Sequence, residues 1–249
     1  MAKLDPDYLQ RLEKFINDPA TAPENRVKEV PKELEGNVAP EDIKANKQAL
    51  LYMVIDKSIS MRSNGLEEAV RQGLMDVKRT VNGAEEVDYI QTAMTFFGST
   101  LEMRPFQYGE CIDTSYEANE LSTCLYDAVI ESCQNMVTQY DKLKDVTTAV
   151  KGVMFIFTDG EENSSKHDFK DLKSAISNML CKGQNDAKPK RNIKFFVAAF
   201  EGADIEQLAK EFNTEPIVIN NDHKLRELMN FVSRDAARWS IIILKLMST

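Results

Sequence analysis

Three polar residues at alternate positions, Asp56, Ser58 and Ser60, follow an apolar run in the stretch VIDKSISM. Such a stretch could be a turn with a helix cap, a nucleophilic serine or a cation site. Aspartate and serine are preferred turn and N-cap residues, so these three residues alone favour the turn. Alternate serines in a turn can also direct both hydroxyls at one point, and Mg²⁺ prefers oxygen ligands. Other parts of the sequence must distinguish these explanations.

A second acid, Asp159, also ends an apolar run, in VKGVMFIFTDG. In an open parallel sheet, ligands bind outside the carboxyl ends of the strands, where the strand order reverses. Two strands that flank this point would bring Asp56 and Asp159 together, where unpaired carboxylates repel each other and are partly desolvated. A divalent cation would balance their charge. Thr123, at the start of a predicted helix in LSTCLYDAV, would supply a third hydroxyl.

The apolar patterning predicts alternating strands and helices from residue 47 onward. Continuous apolar runs of strand length indicate buried parallel strands, and turn residues at Gly98 and Ser99 indicate a hairpin. The alternation predicts a doubly wound α/β fold with a mostly parallel six-stranded sheet, one antiparallel edge strand and helices on both faces. The predicted strands lie within 49–56, 87–106, 150–160, 193–200 and 216–219, and the predicted helices are 66–81, 123–137, 169–180, 203–212 and 223–239.

Three segments are expected. Residues 47–238 form the α/β domain, and residues 1–46 form a short helix followed by an arm punctuated by prolines. Residues 239–249 form an apolar tail that packs on the domain or on a partner. Packing within the chain is the preferred interpretation, but an added strand or a partner surface would also use the isoleucines of this tail.

Composition excludes several classes of function. The chain has 249 residues and a net charge of −9, which argues against binding nucleic acid, since that needs concentrated Lys and Arg. The N-terminus has no signal-peptide pattern, and no apolar run reaches the roughly 20 residues needed to cross a membrane. The four cysteines form no CxxC pair. We therefore expect reduced thiols in a cytoplasmic protein.

The combination of motifs resembles the von Willebrand factor A (vWA) domain. DKSIS (residues 56–60) is similar to the DxSxS motif of that family, STCLYDAV contains a counterpart of its isolated threonine, and FTDG (157–160) resembles its final acid loop. The motifs occur in the family's order, and the similarity covers about residues 47–238. The sequence departs from the family at Ile59, where glycine is usual. An isoleucine avoids positive φ, so the loop could differ or Ile59 could contact the partner.

The resemblance implies a metal-ion-dependent adhesion site (MIDAS). Ser58, Ser60 and Thr123 would bind Mg²⁺ or Mn²⁺ through their hydroxyls, and Asp56 and Asp159 mainly through water. A protein partner would complete the coordination with an Asp or Glu. Thr123 moving into direct contact would raise the affinity. Cytosolic relatives of the family often serve AAA+ ATPases or stress and defence systems, which slightly favours such partners, although no residue of this sequence identifies them.

Two other functions remain open. The first is Mg²⁺-dependent phosphoryl transfer, although the sequence has neither a GxxxxGK[ST] loop nor a second acid at position 58. The second is a structural subunit that assembles through the arm or the tail. Ser164, Ser165, His167 and Asp168 are not expected to form a catalytic triad, because neighbours in one loop rarely do. Asp168 is instead predicted to cap the helix that follows, and Glu161, Glu162 and Asn163 are interpreted as a solvated rim.

Overall fold

The structure is a computed structural model, and it describes residues 36–37, 47–84, 87–108, 112–159, 162–180, 191–200 and 205–247, with side chains up to residue 237. The predicted N-terminal helix, two of the four cysteines (Cys111 and Cys181) and the side chains of the apolar tail lie outside the described residues.

Six strands and six helices make up the described part of the domain. The strands are β1 (Lys47–Asp56), β2 (Ile90–Phe97), β3 (Leu101–Tyr108), β4 (Ala149–Thr158), β5 (Ile193–Phe200) and β6 (Ile217–Ile219). The helices are α1 (Ile59–Ser63), α2 (Glu67–Asn82), α3 (Leu125–Lys144), α4 (Phe169–Met179), α5 (Glu206–Glu211) and α6 (Asp222–Met247).

The strands form one six-stranded sheet in the order β3-β2-β1-β4-β5-β6. Only β3 is antiparallel, paired with β2 through the hairpin at the edge of the sheet. β2 lies on one side of β1 and β4 lies on the other, so the strand order reverses between β1 and β4. The predicted doubly wound α/β fold with one antiparallel edge strand is confirmed, and its switch point lies where the sequence predicted it.

A hydrophobic core covers each face of the sheet. Alternate residues of β1 point to opposite faces, so Tyr52 and Val54 pack with α3 and α4, whereas Met53 and Ile55 pack with α2 and α6. All four side chains are at most 1% exposed. Because both faces are covered, the strand is apolar throughout instead of alternating between apolar and polar residues.

The structure adds details at both ends of the domain. Helix α6 runs past the predicted end at residue 239 to Met247, so residues 240–247 are helical and do not add a strand. At the other end, the Asn37 side chain accepts a hydrogen bond from the Phe106 amide of β3 (2.8 Å) and donates one to Asn135 Oδ1 of α3 (2.7 Å). This part of the arm therefore lies against the edge strand.

Candidate metal centre

The two predicted acids lie at one edge of the sheet. Asp56 is the last residue of β1, and Asp159 directly follows the last residue of β4. These strands are parallel neighbours, with Ile55 paired to Phe157, so the backbone brings the two carboxylates to the switch point. Asp56 is 0% exposed.

A chain of hydrogen bonds joins Ser58, Ser60 and Asp159. The hydroxyls of Ser58 and Ser60 lie 2.8 Å apart, and the Ser60 hydroxyl donates to Asp159 Oδ1 at 2.9 Å. Since the Ser60 proton points to Asp159, the Ser58 hydroxyl is the donor in the first bond. Asp56 Oδ1 accepts a hydrogen bond from the Ser58 backbone amide at 2.7 Å. Asp56 is therefore connected to Ser58, Ser60 and Asp159 by hydrogen bonds.

Helix α1 explains why the two serines point to one place. Ser58 occupies its N-cap with an extended backbone, yet the side chain forms no cap hydrogen bond and turns toward Ser60 instead. Ile59 begins the helix. Only Asn213 has a positive φ among the described residues other than glycine, so the isoleucine is accommodated without strain. The side chain of Ile59 is 44% exposed, which leaves it free to contact a partner.

Thr123 lies in a segment that runs beside the Ser58 loop. The Ile59 amide donates to the Glu120 carbonyl at 2.7 Å, and the Cys124 amide donates to the Gly98 carbonyl at 2.9 Å. Gly98 is required for this approach, because a Cβ at that position would lie 2.2 Å from Glu120 Cβ. Thr123 is 3% exposed. No described residue forms a hydrogen bond with its hydroxyl, which leaves that oxygen available to a ligand.

The loop after Asp159 holds the Thr123 segment by its backbone. Asn163 Oδ1 accepts a hydrogen bond from the Thr123 amide at 2.8 Å, and the Asn163 amide donates to the Thr123 carbonyl at 3.1 Å. Glu162 Oε2 accepts from the Tyr126 amide, in the first turn of α3, at 2.9 Å. The interpretation of Glu162 and Asn163 as a mere solvated rim is therefore incomplete. Asn163 is exposed, but both side chains bind the start of α3.

The charged forms of both carboxylates are destabilised by burial. Burial raises the pKa of Asp56, and the nearby charge of Asp159 raises it further, against the hydrogen bonds from Ser58 and Thr158. Burial also raises the pKa of Asp159, although Ser60 and Asn64 donate hydrogen bonds to it. Within the part of the chain that the structure describes, neither carboxylate forms a salt bridge. Their charge is thus not compensated by any residue that the structure describes.

Two other acids, one buried and one partly buried, are compensated by cationic side chains. Asp76 is 7% exposed and pairs with Arg226 at 2.7 Å and with Arg79 at 2.9 Å. Asp141 pairs with Arg191 at 2.5 Å, and this contact lowers the pKa of the Asp141 carboxyl against the effect of burial. The contrast makes the pair at the strand ends unusual for this molecule.

Three supporting residues were not predicted from the sequence. The Thr158 hydroxyl donates to Asp56 Oδ2 at 2.6 Å, and the Asn64 side-chain nitrogen Nδ2 donates to Asp159 Oδ2 at 2.7 Å. The Tyr116 hydroxyl donates to the Asp56 backbone carbonyl at 2.5 Å. Thr158 precedes Asp159 in the sequence, so its place at a strand end was a usable indication. Asn64 and Tyr116 reach the site only through the folding of loops.

The loop that contains a serine, a histidine and an acid is structural. Asp168 caps α4 by accepting hydrogen bonds from the Lys170 and Asp171 amides, which confirms the predicted cap. His167 Nδ1 lies 2.8 Å from Asp127 Oδ1, and the same carboxylate accepts the Lys166 and His167 amides. These contacts fasten the loop to α3.

The side chains at the strand ends fit a hard divalent cation. Two desolvated carboxylates can balance a charge of +2, and three hydroxyls add neutral oxygen ligands of the kind that Mg²⁺ accepts. Among the described residues, no group of three or more His, Cys, Asp and Glu could hold a metal ion. A metal at this site would therefore depend on hydroxyls as much as on carboxylates.

Comparison with known proteins gives similarity in structure alone. No family model matches the sequence, and no curated protein matches it significantly. The pilus adhesin SpaC of Lactobacillus rhamnosus GG is 13% identical with a TM-score of 0.58, over 77% of this chain and 31% of SpaC. A von Willebrand factor type A protein of Catenulispora acidiphila is 13% identical with a TM-score of 0.54, over 77% of this chain and 43% of that one.

A third similar structure carries a metal. Proximal thread matrix protein 1 from the mussel byssus, with a zinc-occupied MIDAS motif, is 14% identical with a TM-score of 0.54, over 76% of this chain and 48% of that protein. At these identities the comparison establishes the vWA fold and no more. This chain spans between 31% and 48% of the length of the three structures.

Proposed function

We propose that this chain is a protein-interaction module that binds its partner through a divalent cation, Mg²⁺ or Mn²⁺. The observation that carries the proposal is the pair of close, desolvated carboxylates of Asp56 and Asp159, for which the described residues provide no cationic partner. The vWA fold and the zinc-occupied MIDAS motif of the mussel protein support a metal-dependent module.

Each of the five residues has a role in this proposal. Ser58, Ser60 and Thr123 bind the cation through hydroxyls, and Asp56 and Asp159 neutralise it, mainly through water. Bound there, the cation supplies a Lewis acid that accepts one further anionic ligand, which we assign to an Asp or Glu of the partner. Neutral hydroxyl ligands leave it short of negative charge, which favours that last ligand.

A titration with Mn²⁺, followed by the loss of free Mn²⁺ signal in electron paramagnetic resonance, tests the metal directly. The wild-type chain should bind one equivalent, and Asp56→Ala and Asp159→Ala should each weaken binding at least a hundredfold. Asp145→Ala is the matched control, because Asp145 is an exposed acid just after the far end of α3. Equal binding by all four proteins would refute the assignment.

Affinity capture tests the partner. Partner retained by the wild-type chain in Mg²⁺ should be lost in EDTA and with Asp56→Ala. Mass spectrometry of the retained fraction then tests whether it contains an AAA+ ATPase or a stress or defence protein, the partners expected from the resemblance. Equal retention in all three conditions would mean that the partner does not use the cation.

The proposal includes the absence of catalysis. What supports it is that two basic side chains in the loops that follow β1 and β4 are already paired, Lys57 with Glu102 at 3.0 Å and His167 with Asp127 at 2.8 Å. A phosphatase assay in Mg²⁺ distinguishes the alternative, phosphoryl transfer, because turnover that Asp56→Asn abolishes would contradict the proposal.

A cytoplasmic location and a role for the arm or tail in assembly remain predictions. No helix in the described ranges has the length and apolar character needed to cross a bilayer. Cys124 and Cys133 are free and buried, and burial raises the pKa of the Cys124 thiol to about 11. Light scattering of chains that lack residues 1–45 or 240–249 tests assembly, and an unchanged mass for both would exclude it.

A further inference from the structure

Two large apolar side chains are exposed beside the candidate metal centre. Leu121 is 84% exposed and Ile59 is 44% exposed, whereas the apolar residues of the core are at most 8% exposed. The hydrogen bond from the Ile59 amide to the Glu120 carbonyl places their backbones next to each other. Ile59 lies between Ser58 and Ser60, and Leu121 lies two residues before Thr123. The two apolar residues are therefore interleaved with the predicted ligands.

The other large exposed apolar residues do not share this arrangement. Met75, Val146 and Val218 lie on three separate elements and are 40%, 49% and 53% exposed. Single exposed apolar residues are ordinary in proteins, whereas adjacent ones beside a binding site indicate a contact surface. Leu121 is also the most exposed of the five, so its position is not explained by packing within the chain.

The charges next to the apolar pair restrict what can dock there. A cleft of about 520 Å³ opens beside the site, and its lining contains three acids, Glu67, Glu102 and Glu117, against two bases, Lys57 and Arg71. Glu117 is exposed at 67% of its side chain. All three acids are ion-paired, Glu67 with Arg71, Glu102 with Lys57 and Glu117 with Arg62. The two bases of the lining are therefore already engaged, and a partner with several acids finds no unpaired base in this lining.

We propose that Ile59 and Leu121 form the apolar part of the partner-binding surface, and that the partner is a protein segment with one acid flanked by apolar residues. The inference rests on the proposed function, because the acid is the ligand that completes the metal coordination. The apolar neighbours of the acid bury Leu121 and Ile59 on binding. The lining of the cleft provides no unpaired base that would favour further acids in the segment.

An array of immobilised peptides tests the proposal with the full-length chain. The peptides carry a central Glu between two leucines, between two serines or between two further glutamates, and a fourth carries Gln between two leucines. In Mn²⁺, the chain should bind the Leu-Glu-Leu peptide best and the three-glutamate peptide worst. The Gln peptide and all binding in EDTA should be at background.

Substitution of Leu121 separates this inference from the proposed function. Leu121→Ser should weaken binding of the Leu-Glu-Leu peptide about tenfold, the loss expected from one buried leucine contact, and leave Mn²⁺ binding unchanged. Val146→Ser is the control, because Val146 is 49% exposed and follows the opposite end of α3, which spans about 30 Å. It should change neither property.

The outcomes are distinguishable. Binding that depends on the central Glu and on Mn²⁺, but is equal for leucine and serine flanks and unaffected by Leu121→Ser, would overturn the apolar surface and leave the metal-dependent module intact. Failure of the wild-type chain to bind Mn²⁺ would overturn both.

Discussion

At the amino end of the sheet, Lys151 of β4 is 3% exposed and its ammonium lies 3.0 Å from the Asp235 carboxylate of α6. At the carboxyl end of the same strand, Asp159 accepts hydrogen bonds from Ser60 and Asn64 but forms no salt bridge with a described residue. Both ends bury charge. Among the described residues, the opposite charge is supplied at the amino end alone.

This difference distinguishes the structural ion pair at the amino end from the proposed cation site at the carboxyl end. A buried charge costs several kcal/mol unless it is paired, so a stable fold places a partner next to it, as Asp235 is placed next to Lys151. Asp56 and Asp159 have hydroxyl and amide donors, which orient the carboxylates without neutralising them. No described residue supplies the opposite charge, and that is the physical argument for the proposed cation.

Removing Asp235 should produce the largest effect. Asp235→Ala leaves the ammonium of Lys151 buried without a counter-charge, and Lys194 lies close enough for the two lysines to repel each other. The free energy of unfolding should fall by about 3–5 kcal/mol, measured by urea denaturation. The loss should be the same in Mg²⁺ and in EDTA. The double variant Lys151→Met with Asp235→Ala should recover most of it, and a failure to recover would mean that the ion pair is not the cause.

Neutralising Asp56 should have the opposite dependence on metal. In EDTA, Asp56→Asn should be at least as stable as the wild type, because it removes the repulsion with Asp159 and keeps an acceptor for the Ser58 amide. With Mg²⁺ at a hundred times its dissociation constant, the wild type should gain about 2.7 kcal/mol and the variant nothing. Thermal unfolding in both buffers measures this. If Mg²⁺ does not stabilise the wild type, the carboxyl end of the sheet does not bind the cation, and the proposed difference between the two ends is wrong.

The sequence predicted the fold and the position of the acids because both depend on local patterns. Apolar runs such as ALLYMVID specify buried strands, and the rule for open α/β sheets then places Asp56 and Asp159 at one edge. The charged end of the sheet formed by Lys151 and Asp235 was not predicted. Nothing local relates a lysine in β4 to an aspartate in the last helix.

Two further features could not be read from the sequence for different reasons. Helix α1 has only five residues, too few for a periodic pattern, so Ser58 to Ser60 resembled a turn. Asn163 looked like a solvated rim because its residue type and its surroundings are polar. Its contact with the Thr123 amide joins segments 40 residues apart and depends on the tertiary structure.

Removing the contact between Asn163 and Thr123 should weaken metal binding at the carboxyl end of the sheet. Asn163→Ala removes the acceptor of the Thr123 backbone amide, so the segment that carries Thr123 is held less firmly. We expect Mn²⁺ affinity to fall about tenfold, the equivalent of roughly one hydrogen bond, with little change in stability because Asn163 is exposed. Asn220→Ala, an exposed asparagine just after β6, is the control. An equal loss of affinity in both variants would exclude a specific role for Asn163.

A further effect is expected at the amino end, from Lys194 of β5. Burial lowers the pKa of Lys194 to about 8, and the nearby charge of Lys151 acts in the same direction, against the attraction of Asp235. The Lys194 side chain of the unfolded chain keeps its proton up to the ordinary lysine pKa. Above pH 8 the unfolded chain therefore binds more protons than the folded chain. The free energy of unfolding should rise with pH in this range. Lys194→Gln should lack this rise. Unfolding curves of both proteins between pH 7 and about pH 10 measure the difference, in which other titrating groups cancel. A difference that stays constant with pH would show that Lys194 is as well compensated as Lys151.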